Sequence, residues 1–332
     1  AAAHVNLGAT LRDLGRLDEA ITYYRKALNI KPNFAEVHNN LGNAFKELGQ
    51  LDEAMASYRK ALSIKPDFTE ADRHLLLVML YIPGLSPEEL FTEHLRFPET
   101  HTRDIPQPSR LTNDPTPERR LRIGYLSSDF RDHPVGRNIL PLLSSHDRDN
   151  LEVYCYADVR RPDGITERFR SYVEHWYTIA GKSDAEVASM VRADGIDVLI
   201  CLAGRFDRNR PLVCAHRAAP VQVSYHDVAT SGLKEMDYWL TDTFLSPPDT
   251  AEMFTEKLHR LPVFYQYPAV EQAPPVAVVP AEQAGMITFG SFNNPAKVNE
   301  KVIDLWAEVL KAVPGSQLLL KYKNWYDQAS LR

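Results

Sequence analysis

LRIGYLSSDFRDHPVG, Leu121–Gly136, decides the fold. LRIGYLS is a short apolar run rich in strand-forming residues, and the polar run SSDFRDH follows it. Pro134 then opens a helical stretch, 134 to 143, with proline at the first helical position. A strand that leaves through a polar loop into a helix is the start of an α/β unit.

The same pattern continues downstream. LEVYCYAD, IDVLICLAG and VQVSYHD read as strands, separated by helical stretches at 165–175, 183–193 and 210–217. MDYWLTD (236–242) and LHRLP (258–262) read as later strands of the same sheet. Strands alternating with helices predict a parallel, doubly wound, Rossmann-like sheet. EQAPPVAVVP (271–280) is a proline-rich connector. ITFGSFNN then opens a new strand, NEKVIDLWAEVLKAV (299–313) is an amphipathic helix, and SQLLLKY is the next strand.

Upstream the period changes. Asn6-Leu7-Gly8 recurs as Asn40-Leu41-Gly42, Leu17-Asp18-Glu19-Ala20 as Leu51-Asp52-Glu53-Ala54, and Pro32 as Pro66. The spacing is the 34 residues of a tetratricopeptide repeat, two antiparallel helices per unit. Gly15 and Gly49 fall where the first helix of each unit ends, Asp18 and Asp52 are placed to cap the second, and Pro32 and Pro66 stop it. A third unit starts at Ala71 and departs from the pattern, with His74 where asparagine is expected. SPEEL (86–90) is a strong helix start, and HTRDIPQPSRLTNDPTPE (101–118) reads as a linker. The expected organisation is therefore repeats over 1–70, capping helices and linker over 71–120, a Rossmann-like lobe over 121–285 and the start of a second lobe over 286–332. Because the chain begins without methionine inside a repeat, and two repeats need neighbours on both faces, further repeats are expected before Ala1.

Composition narrows the function. A formal net charge of −6 gives no global basic field, so nucleic acid is not an expected partner. No apolar run approaches a membrane span, and no signal peptide is visible. Cys155, Cys201 and Cys214 lie in apolar stretches without metal-ligand spacing, which predicts buried free thiols in a reducing, cytoplasmic setting.

Candidate chemistry sits in three places. His133 lies in the loop leaving the first strand, where it can move a proton, bond a phosphate or sugar hydroxyl, or simply cap the helix. Asn293, Asn294 and Lys297 precede the helix at 299–313, offering amides, a mobile cation and helix N–H groups to an anion; a solvated surface lysine is the plain alternative. Asn6 and Asn40 occupy equivalent repeat positions, where an amide can pair with an extended peptide or with neighbouring backbone.

RLRIGYLSSDFRDHPVG, ADGIDVLICLAG, APVQVS, MDYWLTD and ITFGSFNNPAKV, behind repeats ending in KPDF, together resemble the protein O-GlcNAc transferase family, bacterial members above all. The resemblance implies a two-lobed GT-B glycosyltransferase that moves N-acetylglucosamine from UDP-N-acetylglucosamine to serine or threonine hydroxyls, with inversion and without a metal or other cofactor. It implies that His133 is the active-site histidine, that Asn294 lies at the nucleotide, and that Lys297 neutralises the departing diphosphate. Asn6 and Asn40 match the asparagine ladder that grips acceptor proteins or peptides along the repeat groove. The alternatives are a non-catalytic peptide-binding scaffold and a transferase using another nucleotide sugar, since related repeat proteins use GDP-fucose.

The chain departs from the family at two strand ends. Cys201 to Phe206 stands where many bacterial relatives read DLAGHT, and Arg205 is expected to bring charge and bulk to the acceptor side. Tyr225 to Gly232 is one residue shorter than the usual WLGYPxTxG. With most nucleotide contacts of the family lying beyond the stretch aligned with Arg332, this chain by itself is expected to be inactive.

Overall fold

The computed structural model describes residues 1–108, 110–205, 208–265 and 273–321. The expectations for Phe206, for Glu271 and Gln272 in the connector and for Tyr322 in the last strand lie outside them. The chain divides into two compact units, Ser86–Ala269 and Ala1–Leu85 with Val270–Arg332.

The repeats form α1 (Ala2–Asp13), α2 (Leu17–Ile30), α3 (Ala35–Glu47) and α4 (Leu51–Ile64), with α5 (Thr69–Met79) packed on α4 and α3. Small residues let the helices close: Ala20, Ala27, Ala54 and Ala61 are fully buried beside Tyr24 and Tyr58. The ring of Tyr58 lies so close over Gly42 that a Cβ there would sit 2.5 Å from it. Gly15 and Gly49 end the first helices at φ 75°. Asp18 and Asp52 are not caps: α2 and α4 start one residue earlier, with Arg16 and Gln50 at the cap. The aspartates sit in the first turn, where they face the positive end of the helix dipole. At His74 the third unit trades the repeated asparagine for a half-buried imidazole, its Nδ1 2.9 Å from Asn39 Oδ1.

In the second unit, α6 (Pro87–His101) begins with a full capping box between Ser86 and Glu89. A sheet follows, built from β1 (Leu121–Ser127), β2 (Leu151–Ala157), β3 (His175–Thr178), β4 (Val198–Leu202), β5 (Val221–Tyr225), β6 (Tyr238–Asp242) and β7 (Lys257–Leu261). All pairings are parallel, in the order β3-β2-β1-β4-β5-β6-β7. Alternate residues feed opposite faces: Ile123, Tyr125, Val153 and Cys155 meet α7 (Pro134–Ser144) and α8 (Gly164–Ser171). Leu126, Tyr156, Leu199 and Cys201 meet α9 (Asp184–Ala193) and α10 (Leu212–Ala215). Both faces of the parallel sheet are thus covered, as its unbroken apolar strands require. Two elements differ from expectation. The stretch 165–175 is a shorter helix followed by β3, and 210–217 holds only the single turn of α10.

After α11 (Pro280–Ala284), β8 (Thr288–Ser291), α12 (Glu300–Ala312) and β9 (Gln317–Leu320) make one parallel β-α-β unit. No residue of α12 is buried. Among the described residues no helix is long and apolar enough to cross a membrane.

Candidate active site

Ligands of open parallel sheets bind beyond the carboxyl ends of the strands, where successive connections leave in opposite directions. Here the chain moves outward from β1 to β2 and β3, then returns to the other side of β1 with β4. The crevice lies between the loops that follow β1 and β4.

Asn209, after β4, ties these two loops together. Its Oδ1 accepts from the Ser127 hydroxyl at 2.9 Å and the Ser128 N–H at 2.7 Å, and its Nδ2 donates to Asp129 Oδ2 at 2.7 Å. All four residues are buried. An amide is the one neutral side chain that offers an acceptor and a donor side by side, so the polar run SSD can be buried without orphaned groups. Gly136 lets the loop lie flat on α7: a Cβ there would stand 2.4 Å from the Asp129 carbonyl.

The loop delivers His133 to the N-terminus of α7. Its Nδ1 accepts from the Val135 N–H at 3.3 Å and lies 3.6 Å from Asp129 Oδ1. The histidine is therefore both the helix cap and an imidazole backed by a carboxylate. With Nδ1 accepting, the neutral ring carries its proton on Nε2, which is the nitrogen left to donate to a substrate oxygen. The side chain is one quarter exposed, open to a substrate at the crevice.

The ends of β4 and β5 are strained. Ala203, Gly204 and His226 have φ of 57°, 47° and 58°, each worth about 1–3 kcal/mol for a residue with a Cβ. Asp227 packs its carboxyl directly on Gly204, where an added Cβ would come within 1.6 Å of Oδ2. Its Oδ1 accepts from the Val228 N–H at 2.8 Å, whereas Oδ2 is enclosed and has no hydrogen-bond partner among the described residues. Burial pushes this carboxyl up to about 6.

Arg205 does not face the acceptor side. It folds back under α6, buried, with Nη1 2.6 Å from His94 Nδ1 and 3.1 Å from the Thr230 carbonyl, which it donates to. Nη2 donates to the Ser231 carbonyl, and the guanidinium lies over the Phe97 ring at 4.7 Å. The apolar wall of α6 and two convergent carbonyls hold the charge inside the fold. The Thr230–Ser231 turn is fixed in turn by Glu256, which accepts from the Thr230 hydroxyl at 2.6 Å and the Ser231 N–H at 2.8 Å.

The other candidates lie in the other unit. Lys297 is exposed at the end of a single 3-10 turn, Pro295–Lys297, and its N–H donates to the Asn294 carbonyl at 2.9 Å. Asn294 is half-buried, and Asn299 caps α12 by accepting from the Val302 N–H at 3.1 Å. Asn6 is exposed and Asn40 half-buried on the first helices of the two repeats.

Residues 101–267, the linker and the seven-stranded sheet, match the model of glycosyl transferase family 41. The chain belongs to glycosyl transferase family 41. Residues 8–49 and 35–68 match tetratricopeptide repeat models, which places repeats and family 41 lobe in one chain. SPINDLY of Arabidopsis thaliana, named a probable UDP-N-acetylglucosamine–peptide N-acetylglucosaminyltransferase, is 40% identical over 259 residues, covering 76% of this chain and 28% of that protein. A Caenorhabditis elegans UDP-N-acetylglucosamine–peptide N-acetylglucosaminyltransferase is 37% identical over 146 residues, 43% of this chain and 13% of that one. The structure of a mutant Thermobaculum terrenum O-GlcNAc transferase superposes with a TM-score of 0.88 at 34% identity, covering 99% of this chain and 63% of that one. The chain thus spans less than a third of the SPINDLY proteins and under two thirds of the bacterial structure.

Asn209, Asp129 and Asp227 escaped the sequence reading. The signal for the first two was the run of polar residues directly after an apolar strand, which can be buried only if a distant amide satisfies it.

Proposed function

We propose that this family 41 protein is a GT-B glycosyltransferase that transfers N-acetylglucosamine from UDP-N-acetylglucosamine to serine or threonine hydroxyls of proteins, with inversion. The observation that carries this reading is His133, one quarter exposed at the switch-point crevice with Asp129 behind it and the loop locked by Asn209. An imidazole so held presents Nε2–H to a sugar or phosphate oxygen of the donor and orients it toward the acceptor hydroxyl.

The leaving diphosphate gathers negative charge, which needs positioned cations and N–H groups. Lys297 and the loop through Asn294 to α12 supply both, so the reaction proceeds without a metal in this reading. Acceptor segments lie along the repeats at Asn6 and Asn40. The three cysteines are free and buried, which suits a reducing cytoplasm. The β8-α12-β9 unit, with no buried residue in its helix, is too little to enclose a nucleotide, so the 332-residue chain by itself is expected to be inactive.

The test is mass spectrometry of acceptor proteins incubated with the full-length protein, a chelator, and either UDP-N-acetylglucosamine or GDP-fucose. An N-acetylhexosamine on serine or threonine supports the reading, and a Lys297→Met variant is expected to lower the rate by about 100-fold or more. Fucose in its place would move the donor assignment. No transfer from either, with peptide binding that depends on Asn6 and Asn40, would make the protein a scaffold.

A further inference from the structure

Arginines cluster in the loops around the His133 crevice. Arg160 and Arg161 leave β2, Arg131 leaves β1 and Arg208 leaves β4. These strands are neighbours in the order β2-β1-β4, so the arginines share one rim. Arg160, Arg161 and Arg208 are exposed and make no ion pair among the described residues. The described acids nearby are all engaged. Asp129 bonds Asn209, Asp132 pairs with Arg137 at 2.7 Å, Asp158 lies 3.9 Å from Arg210, and Asp163 caps α8. Three exposed arginines without an ion pair among the described residues therefore stand at the crevice of a protein whose formal net charge is −6.

We propose that this rim, formed by Arg160, Arg161 and Arg208, binds acidic side chains flanking the acceptor hydroxyl, so that the protein prefers acceptor segments rich in aspartate and glutamate. The proposal rests on the transferase reading for the word acceptor, though the binding itself does not. Geometry favours a peptide over a diphosphate. The loops after β2 and β4 stand two strand spacings apart, about 10 Å, which matches about three residues of extended chain. A polyanionic segment laid across that span can reach arginines of both loops, whereas a diphosphate is shorter than the span.

Binding is read by fluorescence anisotropy on the 332-residue chain, without nucleotide sugar. A labelled serine peptide flanked by aspartate and glutamate is compared with its asparagine and glutamine twin. Each exposed charge pair is worth about a factor of two, so the acidic peptide is expected to bind about tenfold more tightly, with the difference shrinking as salt rises. The preference should vanish in Arg160→Gln/Arg161→Gln/Arg208→Gln, reverse in the corresponding triple change to Glu, and survive Asn6→Ala/Asn40→Ala. Because the three side chains are exposed, both triple variants should keep the wild-type circular dichroism melt. Equal binding of the twins, or a preference that survives in both triple variants, overturns the proposal. So does inorganic pyrophosphate binding that depends on the arginines while the peptides are not distinguished, which assigns the rim to phosphate. Failure of sugar transfer would leave a measured peptide preference standing, and loss of the preference would leave the transfer reading untouched.

Discussion

Nη1 of Arg205 lies 2.6 Å from Nδ1 of His94, and the imidazole nitrogen can only be accepting. A guanidinium has no acceptor to offer, so His94 is held neutral. Burial, then the charge of Arg205, pushes the imidazole down to about 3. The folded value is below the unfolded one, so the unfolded chain binds the extra proton as pH falls. Stability of the unit is therefore full above about 6.5 and declines between about 6.5 and 3, by up to about 1.4 kcal/mol per pH unit. Urea unfolding from pH 7 to pH 4 should show this slope and lose it in His94→Gln. Arg205→Met, which strands two buried carbonyls, should cost about 2–4 kcal/mol at pH 7.

Asp227 works in the opposite sense. Burial raises its carboxyl to about 6, and the unfolded value is near 3.8. A raised acid favours the folded state only while protonated, so stability is lost as pH rises from about 4 through 6, by up to about 3 kcal/mol. Asp227→Asn keeps the shape and the acceptor for the Val228 N–H. It should leave stability nearly unchanged near pH 4 and raise it by about 1–3 kcal/mol at pH 8, measured by the same unfolding curves. A variant no more stable than wild type at pH 8 would mean that the carboxyl has found a partner in solution.

Asn209→Ala should be among the more costly single changes in the lobe. It removes three hydrogen bonds at once and leaves the Ser128 N–H and the Asp129 carboxylate buried and short of partners. The expected loss is about 3–5 kcal/mol, against less than about 2 for Asn209→Asp if the new carboxyl is protonated beside Asp129. Hydrogen exchange of the Ser128 and Asp129 amides locates the damage: protection should fall there and persist in β2 and α8.

These three sites explain where sequence reading stopped. The repeats were legible because every helix carries its own punctuation, from Gly15 and Gly49 to Pro32 and Pro66. The strands β1, β2, β4 and β5 were legible as apolar runs between helical stretches. β3 was not, since its four residues, His175–Thr178, follow α8 after three residues and carry no run of their own. Asn209 and Arg205 were not legible for a different reason. Their partners lie about 80 and 111 residues away, and only the packed sheet brings them together. His133 was found because strand, polar loop and proline-started helix are contiguous, yet the carboxylate behind it became visible only with the turn that folds Asp129 back onto it.

His133 has two roles that one substitution can separate. As N-cap it accepts from the Val135 N–H, a bond whose loss costs about 1 kcal/mol, and asparagine is among the best residues for that position. As the crevice imidazole it offers Nε2–H to a sugar or phosphate oxygen of the donor, a bond that asparagine, with its shorter side chain held at the cap, cannot replace. His133→Asn should therefore keep the melting temperature of the wild type, whereas His133→Ala should lower it by about 2–4 °C, as about 1 kcal/mol does in a domain this size. In the full-length protein both should reduce transfer by about 100-fold or more, mostly in kcat, since a positioned N–H donor acts most strongly on the charge that develops in the transition state. If His133→Asn instead restores activity along with stability, the histidine is only a cap.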